Sequence, residues 1–237
     1  MSSSAGELSH RNAAAPLKHR LSARLGRLFH AVSGSAIETD LESYREVVAL
    51  AALRGYSALS DDSIADKSRE LRRVVGRLSV CEREIETLAL VREAARRLLG
   101  LNPFDTQMIA GLAMARGRIA ELPTGEGKTL ALVFPAVLHA LTGRGVHVLT
   151  FNDYLARRDA AWMGPVYRLL GLSVGCVQEG TPPAQKRAAY QADITYLAAK
   201  EAGFDFLRDG IAEAARERVH RPFHCALVDE ADSVLID

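Results

Sequence analysis

A glycine-rich segment that ends in a lysine and a threonine has the residue types of a phosphate-binding loop. The segment consists of Thr124, Gly125, Glu126, Gly127, Lys128 and Thr129. Glycines allow the backbone to wrap around a phosphate, and a helix that follows presents its positive N-terminus to the same anion. We therefore predict that these residues bind a nucleotide, with Lys128 at the β- and γ-phosphates and the Thr129 hydroxyl on Mg²⁺.

The segment departs in one place from the general phosphate-loop pattern GxxxxGK[ST]. Leu122 stands where that pattern has its first glycine. The alternative interpretation is a glycine-rich surface turn followed by an exposed Lys128. A strand-like run before the segment and a helical pattern after it favour the phosphate-binding interpretation.

A group of acidic residues near the end of the sequence supplies the other half of a nucleotide site. It comprises Asp229, Glu230 and Asp232, directly after the apolar run at residues 224–228. A carboxylate at the end of a strand can hold Mg²⁺, and its neighbour can position or deprotonate the attacking water. We assign Asp229 to the metal and Glu230 to the water, so that both act with Lys128 in catalysis. The alternative is an acid-rich turn without a ligand.

Short apolar runs and helical patterns alternate in the second half of the sequence. The strand-like runs are residues 118–122, 146–151, 173–177, 193–196 and 224–229, and residues 155–170 have a helical pattern. This alternation predicts an α/β fold whose parallel sheet binds ligands at the carboxyl ends of its strands. We expect a P-loop NTPase with helices on both faces of the sheet.

Two segments precede this α/β region. Residues 36–100 are helical in pattern, with a capping signal at residues 59–62. Residues 1–35 form a basic leader, in which apolar residues recur at helical spacing: Leu17, Leu21, Leu25, Leu28 and Phe29. A basic amphipathic helix can lie on an anionic membrane surface or pack its leucines on the body of the protein, and periodicity does not separate the two.

Composition and charge exclude several classes of protein. Thirty basic and 29 acidic residues give a formal net charge of +1, and 48% of the residues are hydrophobic. This balance rules out a disordered chain and provides no positive excess to attract nucleic acid. No uncharged stretch reaches the about 20 apolar residues of a membrane-spanning helix. Three separated cysteines fit neither a disulfide framework nor a zinc site, so we expect a cytoplasmic location.

Several blocks of the sequence resemble the SecA family of ATPases. Residues 145–156, GVHVLTFNDYLA, are similar to the family segment GVHVVTVNDYLA, and residues 203–209, GFDFLRD, are similar to GFDYLRD. The resemblance covers roughly residues 59–237. It implies that residues 101–237 form the first nucleotide-binding motor domain of a superfamily 2 ATPase, with a RecA-like fold.

The resemblance also implies an activity, partners and a location. The family couples ATP hydrolysis to the export of preproteins through a SecYEG-type channel, so ATP and Mg²⁺ are the implied cofactors. The implied partners are the Sec channel, preproteins and an anionic membrane surface, with no nucleic acid and with a homodimer left open. The implied location is cytoplasmic, peripherally associated with the inner face of the cell membrane.

One further site residue follows from the resemblance. Residues 104–107, FDTQ, resemble the family's FDVQ, whose glutamine reads the adenine edge, so Gln107 is the expected base-specificity residue. A side-chain amide matches the donor–acceptor pair that adenine presents. Arg116 and Arg118 are expected to lie on a solvated face.

The sequence also departs from the family in several places. Residues 197–201, LAAKE, replace the usual GTNNE, and Ala231 stands where the family usually has valine. The sequence ends before the family's preprotein-crosslinking domain and its second motor domain, which supplies arginine fingers. We therefore interpret the chain as the front part of a SecA-like protein. We expect slow hydrolysis, since a missing arginine finger can cost about 10³ or more in rate.

Two other functions are weighed against this interpretation. A DEAD-box-type nucleic-acid helicase shares the acidic tetrad at residues 229–232, but its strand-contacting PTREL and TPGR segments are replaced by FNDYL at residues 151–155 and DITY at residues 193–196. A non-catalytic docking module would retain the fold without using the nucleotide. The paired phosphate-loop and acidic signals favour the ATPase.

Overall fold

The computed structural model describes residues 40–235, with side chains up to residue 234. Nearly all of these residues belong to one compact unit, Ser43–Asp237, while the other unit is Met1–Glu42. The basic leader that the sequence predicts at residues 1–35, with its amphipathic helix, lies outside the described residues.

The N-terminal part of the described chain is helical, as predicted. Its elements are α1 (Glu42–Ala52), a 3₁₀ turn (Tyr56–Ala58), α2 (Asp61–Val74) and α3 (Val80–Leu99). The Ser60 side chain caps α2 by accepting a hydrogen bond from the Ser63 N–H at 3.2 Å, which agrees with the predicted capping signal. Ser79 and Glu82 form a capping box at the start of α3. These contacts fix where the two longer helices begin.

Helices and strands alternate through the rest of the described chain. In order, they are α4 (Asp105–Ala115), α5 (Lys128–Ala140), β1 (Val146–Thr150), α6 (Asp153–Leu169), β2 (Val174–Val177), α7 (Pro183–Tyr190), β3 (Ile194–Ala198), α8 (Ala199–Gly210), a 3₁₀ turn (Ala215–Glu217), β4 (Cys225–Val228) and α9 (Ala231–Leu235). This order confirms the predicted α/β fold class. Within residues 40–235, no helix combines the length and the apolar character needed to cross a bilayer.

The four strands form one parallel sheet in the order β2-β3-β1-β4. Val146 at the start of β1 lies opposite Ile194 of β3 and Cys225 of β4. β3 is buried along its whole length. Parallel pairing brings the carboxyl ends of the strands to one edge of the sheet, which we call the carboxyl edge. The predicted parallel sheet is confirmed.

The strand predicted at residues 118–122 is wrong. These residues are irregular, and Ile119 is 94% exposed. A strand needs a neighbouring backbone to pair its N–H and C=O groups, and in the described part of the chain the sheet contains only β1 to β4. Apolar residues before the phosphate loop therefore do not make this segment a strand.

Arg116 is exposed, as expected, and its guanidinium is also held by the protein. Its guanidinium donates to both carboxylate oxygens of Glu84, at 2.9 and 2.7 Å, and lies 4.7 Å from the centre of the Tyr44 ring. Glu84 is buried, so this pair fastens the end of α4 to α3. Arg118 is exposed, as expected.

A buried ionic network joins α7 to α8. The Lys186 Nζ donates to Glu201 at 3.0 Å and to Asp205 at 2.8 Å, and all three residues are buried. The Tyr190 hydroxyl also donates to Asp205, at 2.8 Å. Buried charges are tolerated when they are paired and hydrogen-bonded. The network thus fixes α8, which begins directly after β3 at the carboxyl edge.

We predict that Lys186→Met lowers the free energy of unfolding by about 3–5 kcal/mol, because Glu201 and Asp205 lose their buried cation. Lys200→Met is the matched control, since the ion pair of Lys200 with Glu179 is exposed and solvent screens it. Urea denaturation followed by circular dichroism measures both changes. Equal losses for the two variants would contradict the role assigned to the network.

Candidate functional site

The predicted phosphate loop leads directly into α5. Gly125 and Gly127 have φ angles of +90° and +77°, in the left-handed region that favours glycine, and α5 begins at Lys128. A Cβ built on Gly125 would meet nothing within 4 Å, so the loop is open on that side. The first N–H groups of a helix have no partner within the helix. Loop and helix start therefore have the geometry of an anion-binding site.

The six predicted loop residues divide into an exposed half and a half-buried half. Thr124, Gly125 and Glu126 are exposed, whereas Gly127, Lys128 and Thr129 are half-buried. Lys128 and Thr129 are the first two residues of α5. A phosphate chain that lay along the start of α5 would therefore contact the half-buried residues Gly127, Lys128 and Thr129.

The Gln107 side chain is hydrogen-bonded to the backbone of the phosphate loop. It is 8% exposed, its Oε1 accepts the Phe104 N–H at 3.0 Å, and its Nε2 donates to the Glu126 carbonyl at 2.8 Å. A Cβ on Gly127 would overlap that same Nε2, so Gly127 is needed both for its φ angle and for this close approach. Sequence reasoning assigned Gln107 to the base and missed its bond to the loop. These two bonds use one N–H and one oxygen lone pair of the amide, which has a second of each.

The acidic residues follow β4 at the carboxyl edge. The Asp229 N–H donates to the Leu149 carbonyl of β1 at 2.9 Å, which extends the strand pairing by one residue. Asp229 is half-buried and Glu230 is exposed. Glu230 has a φ angle of +54°, unusual for a residue with a side chain, so the chain turns sharply between the two carboxylates.

The electrostatics of Asp229 connect it to the phosphate loop. Burial raises the pKa of Asp229, and the negative charges of Glu230 and Asp159 raise it further. A hydrogen bond from the Glu230 backbone and the positive charge of Lys128 lower it. The helix α5, which begins at Lys128, packs against β4, which ends directly before Asp229, and the charge of Lys128 is near enough to lower the pKa of Asp229. The fold therefore brings together the two segments that the sequence singles out.

Asp159 of α6 is a buried acid behind Asp229 that sequence reasoning missed. It is 2% exposed, and its Oδ1 accepts a hydrogen bond from Arg158 Nε at 2.8 Å. The Tyr167 and Tyr196 hydroxyls are buried 2.8 Å apart; burial raises the pKa of both phenols, and the charge of Asp159 raises it further. Only the strong helical pattern around Asp159 was visible in the sequence, and it gave no sign that this carboxylate faces inward.

Comparison with known proteins shows which sequence family this chain matches. The family model that matches is the SecA DEAD-like domain, over residues 29–237. The protein translocase subunit SecA of Cellvibrio japonicus is 47% identical over 216 residues, which cover 90% of this chain and 24% of that protein. The same subunit of Rickettsia akari is 53% identical over 180 residues, which cover 76% of this chain and 20% of that protein. The chain thus spans about a fifth to a quarter of the length of these relatives.

We predict that Asp229→Asn raises the melting temperature at pH 7 by about 2 °C. The folded state raises the pKa of this carboxyl above its usual 3.8, so its ionised form destabilises the fold at every pH above the raised pKa. The increase in melting temperature should disappear as the pH falls below 3.8, because the side chain at position 229 is then neutral in the unmodified chain as well as in the variant.

Calorimetry from pH 3 to pH 8 measures this difference, with Asp232→Asn as the control because Asp232 is an exposed acid in the same segment. A lower melting temperature for Asp229→Asn at pH 7 would refute the unfavourable charge environment.

Proposed function

The chain belongs to the SecA family, and on that basis we propose that it is the ATP-binding motor part of a protein translocase. In this proposal, ATP hydrolysis drives preproteins through a Sec channel. The observation that carries the proposal is the junction of the phosphate loop with the acids after β4, where α5 begins at Lys128, packs against β4, and brings the charge of Lys128 near Asp229. We assign residues 101–237 to this motor domain and residues 36–100 to a helical segment in front of it.

The residues at the junction fit a magnesium nucleotide. Burial raises the pKa of Asp229, the charges of Glu230 and Asp159 raise it further, and a divalent cation would offset this negative charge. Among the described residues, no three acidic, histidine or cysteine side chains are grouped as a metal site by themselves, so the phosphates would supply part of the coordination. Thr129 and Asp229 supply hydroxyl and carboxylate oxygens, the donors that Mg²⁺ prefers. When bound, Mg²⁺ neutralises the charge that develops on the phosphates.

The protein's own groups have distinct roles in the proposed hydrolysis. The loop N–H groups and the start of α5 hold the phosphates, and Lys128 adds a point charge at the β- and γ-phosphates. Glu230 orients the attacking water and accepts its proton, while Asp229 holds the metal. Gln107 is the residue we assign to the adenine edge. Its second N–H would donate to the base while the first keeps its bond to the Glu126 carbonyl, and this would link base binding to the loop.

The proposed partners and location follow from the family. They are a SecYEG-type channel, preproteins and the anionic inner face of the cell membrane, which a cytoplasmic motor approaches peripherally. A homodimer is compatible with this role. The sequence leaves the basic leader at residues 1–35 open between contact with this membrane surface and packing on the protein.

The helicase alternative has weaker support. Of its two strand-contacting segments, residues 151–155 lie at the carboxyl edge, where this chain has Asp153 at the start of α6 and the exposed Glu179 after β2, whereas residues 193–196 lie at the amino end of β3. Carboxylates repel a phosphate backbone, and binding to nucleic acid depends mainly on basic contacts with phosphates. The named relatives are translocase subunits. We therefore retain the translocase motor as the proposed function.

We predict that Lys128→Ala weakens the binding of a fluorescent ATP analogue by at least about tenfold, because a hydrogen-bonded charge on the phosphates is lost. Fluorescence titration with Mg²⁺ present measures the dissociation constant. Arg73→Ala is the control, since it removes an exposed cation from α2. An unchanged affinity for Lys128→Ala would overturn the assignment of the phosphate loop.

We predict that Glu230→Gln slows hydrolysis by about 10²–10⁴-fold and leaves ATP affinity nearly unchanged, because the amide no longer accepts the proton of the water. Phosphate release under single-turnover conditions measures the rate. A rate equal to that of the unmodified chain would assign the proton acceptor to another residue. Parallel loss of binding and hydrolysis would mean that Glu230 holds the nucleotide itself.

A further inference from the structure

Residues 219–223, which we call the entry segment, lead into β4 at the amino end of the sheet. They form no helix or strand of their own. The Asp209 carboxylate of α8 holds their backbone, because it accepts the N–H groups of Val219 and His220 at 2.8 and 2.9 Å. The Arg221 guanidinium donates a further hydrogen bond to the backbone just ahead of β3. Side-chain contacts thus hold this segment in place of regular backbone pairing.

The entry segment packs on a buried histidine of β1. This residue, His147, is 9% exposed, and its ring centre lies 6.1 Å from that of His220 and 5.8 Å from that of Phe223. The Tyr190 ring of α7 adjoins both histidines, with its centre 5.5 Å from His147 and 4.2 Å from His220. The His220 side chain is 6% exposed, and its Nδ1–H donates to Asp209 at 2.9 Å. The four rings form one group, which we call the histidine cluster, between β1, α7 and the entry segment.

The acids near the histidine cluster are bonded to groups other than His147. Asp205 of α8 accepts the Tyr190 hydroxyl at 2.8 Å, and Asp209 accepts the His220 ring and two backbone N–H groups. The residues opposite His147 in the neighbouring strands are uncharged, namely Thr195 of β3 and Ala226 of β4. Within residues 40–235, no carboxylate is therefore hydrogen-bonded to His147.

The packed cluster favours a neutral His147. Burial lowers the pKa of this ring from 6.5 to about 4, and the charges of His220 and Arg221 contribute to the decrease. A released ring would have its usual pKa of 6.5, so a proton on His147 favours release as the pH falls from 6.5 towards 4. Above pH 6.5 the ring is neutral in both states, and the contact is at full strength.

We propose that the entry segment is a pH-sensitive device, which packs on β1 while His147 is neutral and separates from it when protonation of His147 places a positive charge beside Arg221 and His220. Asp209 opposes the separation in part, because its carboxylate can retain a protonated His220. His147 has no such partner within residues 40–235, so its proton has the larger effect. The proposal does not depend on the nucleotide site, which lies at the other end of β4.

The size of the effect follows from the two pKa values of His147. With 6.5 in the released state and about 4 in the packed state, the ratio of released to packed molecules rises by about 20- to 30-fold between pH 7.5 and pH 5.0. Asp209 does not titrate in this range. Burial raises its pKa, but the hydrogen bonds from Val219 and His220 outweigh this and hold the pKa below 3.8. The change is therefore assigned to a histidine.

Hydrogen–deuterium exchange of the purified 237-residue chain at pH 7.5 and pH 5.0 tests the proposal. The readout is the protection factor of the Val219 and His220 amides, which removes the direct effect of pH on the exchange chemistry. We expect this factor to be about 20- to 30-fold lower at pH 5.0. The strand β3, which is buried along its whole length, is the internal reference and should keep its protection. Equal protection of the two amides at both pH values would overturn the proposal.

Variants then locate the effect. His147→Gln takes up no proton in this pH range, and we expect the ratio of the two protection factors to fall below about threefold. His147→Phe keeps an aromatic ring for packing and should give the same small ratio. His139→Gln is the matched control, because His139 of α5 is another half-buried histidine whose pKa is lowered by burial, but its ring meets His224 and not the cluster. This control should retain a ratio of at least about tenfold.

Each of three further results would overturn the proposal. A ratio in both His147 variants equal to that of the unmodified chain would show that another group senses the pH. An equal loss of the ratio in His139→Gln would show that the effect does not belong to the histidine cluster. A loss of protection in β3 at pH 5.0, together with that of the entry segment, would assign the change to general acid unfolding.

Discussion

The parallel pairing of β4 with β1 is the constraint on which the rest of the structure depends. It extends to the hydrogen bond between Asp229 and Leu149, and so it fixes where the strand ends and the acids begin. Because every strand of the sheet runs in the same direction, the turns that follow the strands meet at one edge. A shift of β4 by one residue would turn its side chains to the opposite face and remove Asp229 from the influence of Lys128.

The two acidic regions at the carboxyl edge differ in how far cations balance their carboxylates. In the network of α7 and α8, each buried carboxylate meets Lys186 or Arg208, and the charges are balanced. Around Asp229, the three acids Asp229, Glu230 and Asp159 outnumber the cations Lys128 and Arg158, and burial also raises the pKa of Asp229. Balanced charges stabilise the scaffold, whereas unbalanced charges at a site are available to a ligand. This contrast is typical of proteins in which the site lowers stability for the sake of function.

The sequence was sufficient for those features that depend on local chemistry. Neighbouring residues alone are enough to recognise three such features. They are the glycines and lysine at residues 124–129, the acids after residue 228, and the alternation of strands and helices. The features that it did not predict depend on distant neighbours. Residues 118–122 are apolar but have no adjacent strand, Arg116 meets Glu84 across the helical layer, and Gln107 bonds to the loop from another element. Asp159 was missed because an acid in a helix is ordinarily solvated.

The left-handed backbone of Glu230 restricts which sequences can occupy this turn. A side chain in that conformation costs about 1–2 kcal/mol, and glycine, asparagine and aspartate adopt it most readily. Glycine would relax the turn but would have no carboxylate, and asparagine would have no base. Aspartate alone would retain a base, on a side chain one methylene shorter. The amino acids that fit position 230 are thus limited by the backbone geometry as much as by the need for a carboxylate.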